Sequence, residues 1–152
     1  MKKVLLPLVG AGIFLLDESL KNYAEENLQP GTEKKLTERI VFRRVHNQGV
    51  GFELLSECPE EVKKISLAVT AVVTGAGAVV VAEKGRILEK LGLTLTAAGA
   101  WSNTWDRFRR GYVVDYIGIR QKNKKFDRLT YNIGDFCIVA GSILWVAGNT
   151  VK

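Results

Sequence analysis

Eighteen consecutive residues, Ile65–Ala82, carry no charge and are bracketed by Lys63-Lys64 and Glu83-Lys84. A helix that crosses a bilayer needs about 20 mostly apolar residues, and only this segment approaches that length unaided. Val4–Leu16, Leu91–Trp101 and Phe136–Val151 are also apolar. They reach spanning length only with flanks such as Asp17–Lys21 or Arg86–Lys90. Thr74-Gly-Ala-Gly-Ala78 and Thr94 to Ala100 are rich in small residues, which let helices approach closely in lipid. The same spacing suits alanine-rich core helices of a soluble bundle, and spacing alone does not separate the two. Val4–Leu16 after Lys2-Lys3 also has the outline of a signal peptide. No small-x-small cleavage site follows and Asp17-Glu18 is a poor continuation, so we read it as a retained first span.

Composition excludes more than it selects. With 152 residues the chain is read as one domain, and 47% hydrophobic with 25% charged residues is ordinary for a globular protein. Cys58 and Cys137 are far apart and give neither a disulfide framework nor a metal spacing. A single histidine, His46, makes a Ser/His/Asp or Cys/His site unconvincing and reads as a surface or interfacial side chain. The net charge of +6 suits an anionic membrane surface; no aromatic-interleaved basic motif points to nucleic acid.

The chemistry lies at the edges of the apolar segments. Asn103, Asp106 and Arg107 follow the third segment, Asp115 follows Val113-Val114, and Asn132 and Asp135 open the fourth. Carboxylates there are costly to ionise, so they cap, pair or function. Read alone, Asp135 is an N-cap of the last helix, and Asp115 is a turn residue or an ion-pair partner of Arg109, Arg110 or Arg120. Brought together, two such groups share one proton, as in an aspartic protease. Asp17 and Lys21 form an i,i+4 pair. Between the first two segments, Ile40–Val45 reads as a strand. Asn47-Gln48-Gly49 reads as a turn, with Gly49 and Gly51 permitting positive φ, and Phe52–Leu55 as a short extended or helical piece.

The order of these blocks resembles the lipoprotein signal peptidases, the type II signal peptidases of bacterial membranes. Gly99-Ala-Trp-Ser-Asn103-Thr-Trp-Asp106-Arg107 through Gly111-Tyr-Val-Val-Asp115-Tyr116 is similar to that family's Gly-Ala-x-x-Asn-x-x-Asp-Arg…Gly-x-Val-Val-Asp-Phe block. Asp17 to Lys21, Asn47 to Phe52 and Asn132-Ile-Gly-Asp135 resemble three shorter ones. The resemblance implies Asp115 and Asp135 as the catalytic pair. It implies Asn47, Asn103, Arg107 and Asn132 as substrate-binding or dyad-supporting residues, with Arg107 holding peptide carbonyls or the lipid's ester region. Asp17 and Lys21 are implied to be peripheral, with a structural or rim role. The implied substrate is a prolipoprotein whose cysteine carries diacylglycerol, cut just before that cysteine. No cofactor and no metal are implied, since two carboxylates and a water suffice. Departures from the pattern are Gln48, Val50-Gly51, Trp101-Ser102, where the indole would narrow a lipid groove, and Gly134, which would loosen the helix start.

The expected architecture is a mainly α membrane protein, with four transmembrane helices and a small extracytoplasmic β-element. Residues 1–152 form a single membrane-embedded peptidase domain, monomeric, in the bacterial cytoplasmic membrane, with prolipoproteins and membrane lipids as partners and no nucleic acid. Two alternatives stand beside it: a non-catalytic membrane protein that binds lipidated peptides, and a soluble helical bundle. The family's topology places six Lys or Arg (Lys2, Lys3, Lys84, Arg86, Lys90, Lys152) on the cytoplasmic side and the other 16 of 22 outside. The positive-inside rule favours the reverse.

Overall fold

A computed structural model describes residues 2–49, 57–120 and 129–150. Its order is α1 (Lys2–Asn27), β1 (Glu33–Lys35), β2 (Ile40–Asn47), α2 (Pro59–Ala82), α3 (Ile87–Arg110), β3 (Val113–Ile119), β4 (Thr130–Tyr131) and α4 (Ile133–Thr150). The sequence-predicted Phe52–Leu55 piece and Gly51 lie outside the described residues.

Among the described residues two helices, α2 and α4, are long and apolar enough to cross a membrane. Helices α1 and α3 have 26 and 24 residues, both longer than their apolar cores predicted. The Asp17–Lys21 flank continues α1 rather than ending it. Helix α3 starts four residues before Leu91 and continues nine past Trp101, through Asn103 and Arg107. The added turns hold because their polar side chains face one another inside the molecule.

That inversion runs through the fold. Val72, Val79, Val139 and Ile143 are exposed, at 72%, 64%, 60% and 63%, whereas Asp17, Lys21, Asp106 and Asn132 are fully buried. An apolar exterior over a polar interior is the arrangement a lipid solvent selects, because there a charge is stable only when it faces protein partners.

Helices α1, α2 and α4 all pack on α3. Gly92 and Gly99 of α3 lie against the backbone of Gly141 and Gly134 of α4, so the two main chains touch directly. Gly111 (φ 84°) ends α3 in the left-handed region, which a glycine adopts without a Cβ clash. The chain then turns straight into β3.

The four strands form one antiparallel sheet in the order β1-β2-β3-β4. Ile40–Val45 is a strand as expected, extended to Asn47, and Val45 pairs with Asp115 and Asn47 with Val113. Ala24, Phe42, Val114 and Tyr116 form an apolar cluster between α1 and the sheet. Successive residues of a strand face opposite sides. Val114 and Tyr116 therefore point to α1, and Asp115 points the other way.

Candidate active site

Asp115 points into a cavity of about 450 Å³. Its polar wall includes Asn47, Asn103, Arg107, Asp115, Tyr131 and Asp135, and its apolar wall includes Ile65 and Val69 of α2 with Ile138 and Val139 of α4. Two residues that are 20 apart in the chain thus share one chamber.

Asn132 joins them. Its side-chain amide donates to Asp115 Oδ1 at 2.7 Å, and its backbone N–H donates to Asp135 Oδ2 at 3.1 Å. The Asp135 N–H returns a bond to Asn132 Oδ1 at 2.8 Å. This is a reciprocal capping box, so the N-cap of α4 is Asn132. Asp135 sits three residues into the helix rather than at the cap position read from the sequence. The remaining oxygens are also held: Asn47 donates to Asp115 Oδ2 at 3.1 Å, and Asn103 donates to Asp135 Oδ1 at 2.8 Å. Asn47 Oδ1 accepts the Gly49 N–H at 3.1 Å, so the expected turn and the contact with Asp115 coexist in one side chain.

Burial, then the Asp135 carboxylate beside it, raises Asp115 up to about 7, against the lowering effect of its two amide donors. Among the described residues no arginine forms an ion pair with it, although Arg107 shares the chamber and interacts with it electrostatically. Arg110 pairs with Asp106 and Glu18, and Arg120 pairs with Glu33, so the ion pair considered for Asp115 is not formed with either. Arg107 does not bridge to Asp106. It donates to the Gly49 carbonyl at 2.8 Å and to the Asn103 carbonyl at 3.2 Å. Its buried Nε has no hydrogen-bond partner among the described residues.

Asp17 and Lys21 are not at a rim. Both are 0% exposed and 3.1 Å apart. Asp17 Oδ1 accepts the Tyr116 hydroxyl at 2.7 Å and the Ile133 N–H at 3.0 Å, so a carboxylate from α1 caps the helix that carries Asp135. Ser102, Asp106 and Tyr116 complete this polar core. Asp106 stands among the polar residues that follow the third apolar segment, and Ser102 and Tyr116 are signalled only by their places beside Asn103 and Asp115. Trp101 does not line the Asp115 cavity. Its indole donates to Thr74 at 3.0 Å, in a separate apolar groove between α1, α2 and α3. At Gly134 the space for a side chain is small: a Cβ there would meet Asn132 Oδ1 at 2.9 Å, Asp17 Oδ2 at 3.0 Å and the Gly99 carbonyl at 3.1 Å. Among the described residues no cluster of His, Cys, Asp or Glu is arranged to hold a metal.

The chain matches known proteins along most of its length. Lipoprotein signal peptidases of Sulfurihydrogenibium sp. (28% identical, 96% of this chain and 92% of that one) and Sphingopyxis alaskensis (29%, 91% and 80%) are similar to it. So is that of Brucella ovis, at 30% identity over 84% of this chain and 78% of that one. A solved bacterial membrane enzyme superposes with a TM-score of 0.80 at 19% identity, covering 98% of this chain and 87% of that one. A second gives 0.77 at 19% identity, covering 99% and 93%; both show the fold. The profile of the Signal peptidase (SPase) II family matches residues 9–150, and the chain therefore belongs to that family of membrane aspartic endopeptidases.

Proposed function

We propose that this protein removes signal peptides from diacylglyceryl-cysteine prolipoproteins, with Asp115 and Asp135 as a water-activating dyad. The observation that carries the reading is the pair of carboxylates bridged by Asn132 in a chamber with one polar and one apolar wall. Two adjacent carboxylates resist double ionisation, so the pair holds one proton at working pH. The ionised member takes a proton from water as the water oxygen attacks the peptide carbonyl. The protonated member hydrogen-bonds the developing oxyanion and then protonates the departing amine. The Arg107 Nε, which has no partner among the described residues, is a donor for a substrate carbonyl, and the α2–α4 side of the chamber suits acyl chains. All four helices serve as spans in this reading, those of α1 and α3 made tolerable by the internal pairing of their charges. The chain acts as a monomer in the cytoplasmic membrane. Part of the basic excess on the outer side is neutralised internally, by the partners of Lys21, Arg44 and Arg110.

The test is to offer the purified protein a diacylglyceryl-modified precursor and its unmodified counterpart. Cleavage of the modified form alone supports the reading; equal cleavage of both contradicts the lipid requirement.

Two further outcomes follow. Asp115 keeps its proton below about pH 7 and loses it above. Since the one-proton pair is the active form, kcat is expected to fall as pH rises through about 7. It should fall again at acid pH, where the ionised member takes up a proton. A pH–rate profile checks both limbs. Asn132→Ala removes a helix cap worth about 1 kcal/mol and the side-chain donor to Asp115, while the backbone donor to Asp135 stays. It should lower both the thermal midpoint and kcat, the latter by about 10-fold to 100-fold, since one lost hydrogen bond to the charged pair is worth about 1.5–3 kcal/mol.

A further inference from the structure

The Lys21 ammonium is completely enclosed. It meets Ser102 Oγ at 2.7 Å, Asn103 Oδ1 at 3.1 Å, and carboxylate oxygens of Asp17 and Asp106 at 3.1 Å each, with Glu18 at 3.6 Å. An ammonium has donors only. The Asn103 atom facing it must therefore be the oxygen, and the amide nitrogen must face away, toward Asp135. That nitrogen donates to Asp135 Oδ1 at 2.8 Å. A chain of two polarised hydrogen bonds thus runs from a buried cation to one carboxylate of the pair. Among the described residues the donors to Asp115 have no such source. The Asn47 amide is backed by the Gly49 N–H and the Asn132 amide by the Asp135 N–H.

We propose that Lys21 is a positioning residue that, through Asn103, holds Asp135 as the ionised member of the pair and leaves the shared proton on Asp115. The inference rests on the dyad reading above and adds the assignment within it: Asp135 is the base that takes the water proton, and Asp115 is the acid.

Charged and titratable groups reach this balance from several elements. Asp17 and Glu18 come from α1 with Lys21; Asp106, Arg107 and Arg110 from α3; Asp115 and Tyr116 from β3; and Tyr131 from β4. Helix α2 contributes only Ser66 and Thr70 as polar groups lining the chamber. Asp17 is satisfied by Tyr116 and Ile133, and Asp106 by the Val114 N–H at 3.0 Å and Arg110. The Lys21 charge also acts on Asp115 through space, but the hydrogen bond that Asn103 passes on goes to Asp135.

The experiment is the pH dependence of kcat for the full-length protein in detergent, using a diacylglyceryl-modified precursor. Lys21→Gln keeps a donor toward Asn103 and removes the charge. Its acidic limb is expected to move up by about one pH unit or more, the scale of a charge effect on a carboxyl group, with KM unchanged. In an Asn103→Leu background, Lys21→Gln should shift the limb no further. An unmoved limb in a folded Lys21→Gln protein of lower thermal midpoint would reduce Lys21 to a structural role and overturn the proposal, as would additive shifts. If Lys21→Gln does not fold, Lys21→Gln with Asp106→Asn removes one charge of each sign and is read in the same way. If that also fails, the Asn103→Leu profile decides, with an unmoved acidic limb overturning the relay. Absence of cleavage by the wild type would instead refute the dyad reading, a result distinct from an unmoved limb in an active variant.

Discussion

Asp115→Asn and Asp135→Asn are each expected to reduce cleavage by about 10²–10⁴-fold, the usual worth of a positioned acid or base, with little change in thermal midpoint. Each aspartate oxygen is met by an N–H donor, and an asparagine keeps one of the two acceptors. The fold thus retains most of its hydrogen bonds while the pair loses its proton exchange. Removal of either member breaks the same two-carboxylate unit, so the double variant should be scarcely worse than either single one. Rates for the three variants beside the wild type check this. A single variant retaining a tenth or more of wild-type activity would take its aspartate out of the chemistry.

The second large effect concerns packing. Gly99→Ala is expected to destabilise the protein by more than about 3 kcal/mol, beyond the usual range for overpacking. A Cβ at Gly99 would lie 2.2 Å from the Gly134 carbonyl oxygen and 2.9 Å from its carbon. Both are main-chain atoms, so no side chain can swing aside and α3 and α4 must separate. Gly134 directly precedes Asp135, so the separation also pulls Asp135 away from Asn103. Stability and activity should fall together. Gly75→Ala, where a Cβ would meet nothing within 4 Å, should leave both intact. Thermal unfolding in detergent, with initial rates on the same samples, distinguishes the two substitutions.

Much of this was visible in the residues themselves. Ile65–Ala82 marks α2 because nothing interrupts its apolar run, and Ile40–Val45 marks β2 through its β-branched residues. The full lengths of α1 and α3 were hidden for a physical reason. Asp17, Glu18 and Lys21 in one helix and Ser102, Asn103 and Asp106 in the other look like helix ends when each segment is judged against lipid. In the fold they are judged against each other. Pairing across 80 or more residues leaves no local trace, so Asp17 and Lys21 read as peripheral although they sit at the centre of the polar core. The meeting of Asp115 and Asp135 was out of reach of spacing for the same reason; the family resemblance alone brought them together. At the start of the last helix, Asp135 resembles a cap, but Asn132, three residues earlier, takes that place and Asp135 reaches back to complete the box. The close approach of Gly134 to Gly99 was likewise hidden, because the two lie 35 residues apart and only the fold sets them together.

The most direct measurement is mass spectrometry of the products when the purified wild-type protein meets a diacylglyceryl-modified prolipoprotein in detergent. A single cut immediately before the modified cysteine is the expected result. No cut, in an assay where an established lipoprotein signal peptidase cleaves the same precursor, would contradict it and leave the chamber as a binding site for lipidated peptides.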